Sequence, residues 1–171
     1  TSNDVFHLPT LPRRMVIAGE GYNATELAGV FHELGVDVSL INRSETILRG
    51  WEPALSDRLL QISMAKGLNF KLNCRLERVE KTEAGLVLHF ADGKTMETDV
   101  VLWALGRVPN VEGLGLEDVG VALNEKGAIA VDADNRTNVP SIFAVGDVTD
   151  RVQLTPVAIR EGHSFADRQF G

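Results

Sequence analysis

The chain has 171 residues, 44% of them hydrophobic, and its 24 acidic against 17 basic side chains leave a formal charge of −7. This is the composition of a soluble globular protein; the acidic balance argues against nucleic acid as a partner and offers no basic field for a membrane surface, and no apolar run approaches the ~20 residues needed to cross a bilayer. The single Cys74 excludes an internal disulfide framework and no secretory signal opens the chain, so a reducing, cytoplasmic setting is expected, while a start at Thr1-Ser2-Asn3 rather than Met reads as a piece of something longer.

Residues 1–13, with Pro9 and Pro12, read as an irregular lead-in. An apolar strand, Met15 to Ala18, then runs into Gly19-Glu20-Gly21-Tyr22-Asn23-Ala24. A helix is expected from Tyr22 to Leu34, with Leu27, Val30, Phe31 and Leu34 as its apolar face and Gly35 as its stop. Asp37–Ile41 is the second strand. A loop rich in Arg and Glu follows, Pro53 opens a second helix near Leu55–Lys66, and Asn69–Leu72 is a third strand. From Arg75 the period changes to two. Segments 76–80, 86–90 and 95–98 read as an antiparallel meander with Asp92-Gly93 as a hairpin turn. Asp99–Ala104 reads as a buried strand ending at Gly106. The whole is an α/β class: a Rossmann-like parallel sheet with an antiparallel insert. A glycine-rich stretch, Pro109–Gly120, marks a candidate boundary. Beyond it, Ala128–Val131 and Ser141–Val145 read as two further strands and Pro156–Phe170 as a last helix.

Three constellations carry chemistry. In the first, Gly19 permits a tight turn out of the strand, and Gly21, lacking Cβ, lets a pyrophosphate approach the backbone. Ala24 lets the helix pack closely, and the helix N-terminus favours phosphate. The alternative is an ordinary surface turn, which the strand before and helix after disfavour. In the second, the end of the second strand carries Asn42-Arg43, with Arg49 six residues on, where an NAD site usually places Asp or Glu. Two guanidinium forks can bracket a 2′-phosphate, which favours NADP(H); alternatively both are solvated arginines of an ionic loop. A carboxylate at Glu20 is expected to face the pyrophosphate and weaken NADP(H) and NAD(H) alike. In the third, Ile142–Asp147 ends a strand on Gly-Asp, and Ala104-Leu105-Gly106-Arg107-Val108-Pro109-Asn110 closes the nucleotide sheet; a Gly-Asp turn alone is common. His7, His32, His89 and His163 show no metal-ligand spacing, so no metal site is expected.

Taken together, these motifs, with Asn124-Glu125-Lys126-Gly127 and Leu154-Thr155-Pro156-Val157-Ala158, resemble the pyridine-nucleotide:disulfide oxidoreductases, and most closely their glutathione reductase branch. The resemblance spans essentially the whole chain. It implies an NADPH domain at residues 1–112 and the returning half of an FAD domain at 113–171. It implies that Tyr22 is a tyrosine gating the flavin, and Glu26 a carboxylate near flavin and nicotinamide. Asp147 and Thr155 become flavin contacts and Gln153 a contact at the nicotinamide end. For the whole protein it implies a homodimer that passes electrons from NADPH through FAD to glutathione disulfide; trypanothione and mercuric reductases are alternatives within the family. The family's redox cysteine pair and catalytic His-Glu pair have no counterpart here, so no catalytic residue is assigned and the chain alone is expected to bind NADP(H) at most. Glu20 and Asn23 depart from the usual residues at their positions. A scaffold, natural or engineered, that keeps the turn but no longer binds cofactor is the competing reading.

Overall fold

The computed structural model describes residues 1–171 and divides into two compact units, Thr1–Gly106 and Arg107–Gly171. The first unit opens with a single helical turn, α1 (Ser2–Val5), where an irregular lead-in was expected. The reason is local: Thr1 and Asp4 form a capping box, and Val5 is buried. Then come β1 (Arg14–Ala18), α2 (Tyr22–Glu33), β2 (Asp37–Ile41), α3 (Pro53–Ala65), β3 (Asn69–Lys71), β4 (Leu76–Thr82), β5 (Gly85–Phe90), β6 (Thr95–Thr98) and β7 (Val100–Trp103).

Four strands form a parallel sheet in the order β3-β2-β1-β7, and β4-β5-β6 form an antiparallel sheet. Central β1 is buried on both faces, which explains its unbroken apolar run. Met15 and Ile17 face one way, into a layer with Val38, Leu40, Leu102 and the helical residues Ala24, Ala28 and Phe31. Val16 and Ala18 face the other way, beneath Leu88 and Phe90 of the meander. The register pairs Ala18 with both Ile41 and Trp103, so β1, β2 and β7 end level at one edge. The chain runs outward from β1 through β2 to β3, then returns to place β7 on β1's other side. The strand order therefore switches between β1 and β7, where α/β sheets open a ligand crevice at their carboxyl ends.

Two expectations for this unit change. The buried stripe of α2 is Ala24, Ala28 and Phe31 with Leu27 partly covered, whereas Val30 and Leu34 are 53% and 56% exposed. Small alanines bring the helix close to the sheet, and the larger residues fall outside the contact. The 99–104 run is not fully buried either: β7 is an edge strand, with Leu102 inside and Trp103 44% exposed.

The second unit is mostly irregular. A small core of Val121, Ile129 and Ala144 supports a 3-10 turn at Gly146–Thr149, and α4 runs from Thr155 to Phe170. The two strands expected at Ala128–Val131 and Ser141–Val145 do not form. Each run makes only an isolated bridge, Leu123 with Ile129 and Arg136 with Phe143. Side-chain acceptors hold the turns beside these runs. Asn124 Oδ1 accepts the N–H groups of Lys126 and Ala128, and Asp132 Oδ1 those of Asp134 and Arg136.

Candidate functional site

Gly19 leaves β1 at φ +153°, and its N–H donates to the Ile41 carbonyl at 3.0 Å. A Cβ placed there would lie 2.2 Å from the carbonyl oxygen of Ala104, just past β7. Only glycine lets the turn pass through the switch point. Gly21 differs: its φ is an ordinary −80°, and a Cβ there would meet nothing within 4 Å. The space over its backbone is open, as an approaching pyrophosphate requires. Gly21 is also the N-cap of α2, and no side chain caps it, so N–H groups of the first turn stay available to an anion. Ala24 is fully buried against the sheet. Tyr22 and Asn23 are half-buried and Glu26 exposed, and Tyr22 and Glu26 stand one turn apart on the same helix face.

The loop after β2 lies beside this turn, and here the expectation for Glu20 changes. Its carboxylate does not stand over the pyrophosphate turn as a free charge. Oε1 pairs with Arg49 Nε at 2.9 Å, and Oε2 accepts the hydroxyl of Ser44. Its carbonyl also accepts the N–H of Leu48. Glu20 thus ties the glycine turn to residues 44–49. Its carboxylate is 23% exposed, while the Arg49 side chain stands 76% exposed above it. Arg43 is exposed on the same loop. Asn42 is buried, with Nδ2 donating to the Thr46 carbonyl at 2.9 Å and Oδ1 without a hydrogen-bond partner. Ser44 and Leu48 were missed from the sequence. The available signal was a small hydroxyl residue between two arginines, opposite a carboxylate in the glycine turn.

Gly106, at φ +134°, ends the first unit. Within the second, Gly146 has φ +72°, and a Cβ there would come 3.1 Å from the Ala158 Cβ of α4. Its N–H donates to Glu161 at 2.8 Å, and Glu161 also pairs with Arg151. Asp147 follows, half-exposed, with Arg107 Nε at 3.7 Å. Gln153 donates to Asp150 at 2.6 Å, and Thr155 is the exposed first residue of α4. The structure thus gathers Gly19–Ala24 with the Arg43–Arg49 loop in one unit, and Asp147, Gln153 and Thr155 near the start of α4 in the other.

Cys74 is a free, half-buried thiol, and burial, then the nearby Asp92 charge, pushes its pKa up, away from the reactive thiolate. His89 contacts Glu80 and Arg78 on the meander, and His32 Nε2 lies 2.9 Å from the Lys66 carbonyl. Neither approaches the glycine turn through these contacts.

A parallel sheet with a glycine turn and an open helix N-terminus at its switch point defines a dinucleotide-type α/β unit. The chain also matches the family model for pyridine nucleotide-disulphide oxidoreductases over residues 1–162, and it belongs to that family. Over its full length it is 47% identical to a glutathione reductase of Burkholderia cepacia, covering 38% of that protein. It is 43% identical to a trypanothione reductase of Trypanosoma congolense, covering all of this chain and 36% of that one. Among solved structures, a HOCl-induced flavoprotein disulfide reductase from Escherichia coli superposes with a TM-score of 0.89 at 29% identity, over 98% of this chain and 38% of that one. The chain therefore spans well under half the length of these relatives.

Proposed function

We infer that this chain is the pyridine-nucleotide-binding part of an NADPH-dependent, FAD-containing disulfide reductase of the glutathione reductase type. The observation that carries the reading is the glycine turn at the β1/β7 switch point, with Arg43 and Arg49 on the adjoining loop. The residues fit a dinucleotide: the backbone over Gly21 is open, the first N–H groups of α2 are uncapped, and two guanidinium groups flank the adenosine end. Residues 1–112 serve as the NADPH domain and 113–171 as the returning half of the FAD domain. In the whole protein the bound flavin supplies the relay between nicotinamide and disulfide. Tyr22, Glu26 and Gln153 border the nicotinamide end, while Asp147 and Thr155 offer one edge of the flavin site. Glutathione disulfide as substrate follows the glutathione reductase relatives, and a homodimer as the assembly rests on the family resemblance alone; the trypanothione reductase keeps a second disulfide substrate in view.

The chain alone lacks a dithiol, since Cys74 is its one cysteine, and is expected to bind NADP(H) without reducing a disulfide. A non-binding scaffold is the competing reading, favoured by one observation: Arg49 is already engaged by Glu20. Titration calorimetry on the chain and on Arg43→Ala tests the assignment. Arg43 should contribute about tenfold, or ~1.4 kcal/mol, to NADPH affinity, more at low salt, and little to NADH. Equal losses for both nucleotides would remove Arg43 from the 2′-phosphate site.

A further inference from the structure

We propose that Glu20 sets the nucleotide preference of this site by standing in for the 2′-phosphate, so that NAD(H) is accepted on nearly equal terms with NADP(H). The proposal rests on the dinucleotide reading above and assigns the specificity of that same site. Sheets of this kind recognise an unphosphorylated adenosine ribose through a carboxylate at the end of the second strand, and a 2′-phosphate through arginine. Here β2 ends at Ile41 and is followed by Asn42, whose side chain is buried and bonded to Thr46. It supplies no acid to a ribose. The acid comes instead from the neighbouring turn. Gly19 N–H donates to Ile41, which holds Glu20 beside the end of β2, and the Glu20 carboxylate reaches across to Ser44 and Arg49.

Both carboxylate oxygens are thus engaged on the loop that would receive the adenosine end, with Arg49 Nε at 2.9 Å. The group lies mostly out of solvent, so its charge is screened less than that of an exposed ion pair. A 2′-phosphate arriving at Arg49 must share the guanidinium with a carboxylate a few ångströms away. A ribose hydroxyl instead meets an acceptor, at no electrostatic cost. Arg43 remains to favour the phosphate, and Glu20 subtracts the contribution of Arg49. The effect belongs to the adenosine end and therefore separates the two nucleotides; repulsion at the shared pyrophosphate would not.

The test is calorimetry of NADPH and NADH with the chain, Glu20→Gln and Glu20→Ala, with circular dichroism melts to establish folding. Glutamine keeps the shape and a partner for Ser44 while removing the charge. Alanine also removes the tie, so agreement between the two isolates the charge from the loop's anchoring. The chain should favour NADPH by less than about tenfold, and both variants should raise that ratio by roughly tenfold more, through tighter NADPH binding with NADH unchanged or weaker. Parallel tightening of both nucleotides would overturn the proposal and return Glu20 to the pyrophosphate. Unchanged affinities would overturn it as well. No binding of either nucleotide to any of the three folded proteins would sink the dinucleotide reading itself, and this inference with it.

Discussion

Asn42 shows how much one side chain decides at the end of β2. Its Oδ1 is buried without a partner, a cost of about 1–3 kcal/mol for a desolvated acceptor. Its one side-chain bond, Nδ2 to the Thr46 carbonyl, contributes a net of about 0.5–1.5 kcal/mol, no more than that cost. Asn42→Leu should therefore hold or raise stability by up to ~1 kcal/mol, although it removes a buried hydrogen bond. Urea unfolding followed by tryptophan fluorescence reads this directly, since Trp51 and Trp103 both lie in the first unit. A loss above ~1 kcal/mol would show that the amide does more than the structure assigns to it. Gly19 is the opposite case. Gly19→Ala forces a Cβ against the Ala104 carbonyl and strains a positive φ, so a loss of about 2–4 kcal/mol is expected in the same measurement. An unchanged midpoint would contradict the close approach of the β1–α2 turn to β7.

At the scale of elements, a single carboxylate joins the sheet's first strand to the corner between β6 and β7. Asp99 accepts the N–H groups of Arg13 and Arg14 at 3.0 and 2.9 Å, and the Arg14 guanidinium at 3.0 Å. The Arg14 N–H, then its guanidinium, hold the Asp99 carboxyl below its ordinary value of 3.8. A depressed carboxylate contributes stability that is fully present above the unfolded pKa and is lost as pH falls through the folded one. The contribution of Asp99 should thus fade below about pH 3.8. In Asp99→Asn the amide oxygen can still accept both backbone N–H groups, while the charge and the bond from the Arg14 guanidinium go. The variant should be less stable at neutral pH and lose stability less steeply on acidification, with Asp4, Glu33, Glu80, Asp92 and Asp132 contributing to the remaining slope. Parallel acid-unfolding curves for the two proteins would count against this role.

These elements also show what could be read before the structure. The meander was legible because period-two alternation and Asp92-Gly93 are local signals, and β2 was legible because an apolar run between Gly35 and a charged loop has few alternatives. The buried face of α2 was legible only in part: Ala24, Leu27 and Phe31 were read, but Ala28 is chosen by closeness to the sheet, whereas hydropathy points to Val30 and Leu34. The runs at 128–131 and 141–145 look like strands, but turns held by the Asn124 and Asp132 side chains interrupt the chain beside them, and each run keeps only one isolated bridge. The same limit applies at the site. The glycine spacing is local and was visible, while the reach of Glu20 to Ser44 and Arg49 spans more than twenty residues and needed the fold.

For the whole molecule, the account stands on the glycine turn being a ligand site and more than a corner of the architecture. Gly21→Asp separates those possibilities. Gly21 is the uncapped N-cap of α2 at φ −80°, with open space where a Cβ would stand. Aspartate is a favoured N-cap and its charge suits the helix N-terminus, so the variant should fold with stability unchanged or raised by up to ~1 kcal/mol. The same side chain fills the space a pyrophosphate would enter and opposes its charge. The decisive measurement is titration of NADPH into the chain and into Gly21→Asp under identical conditions. The account predicts saturable one-to-one binding to the chain, and binding at least tenfold weaker in a variant whose urea midpoint is no lower. Equal affinity in the two, or no binding to the chain itself, would contradict it.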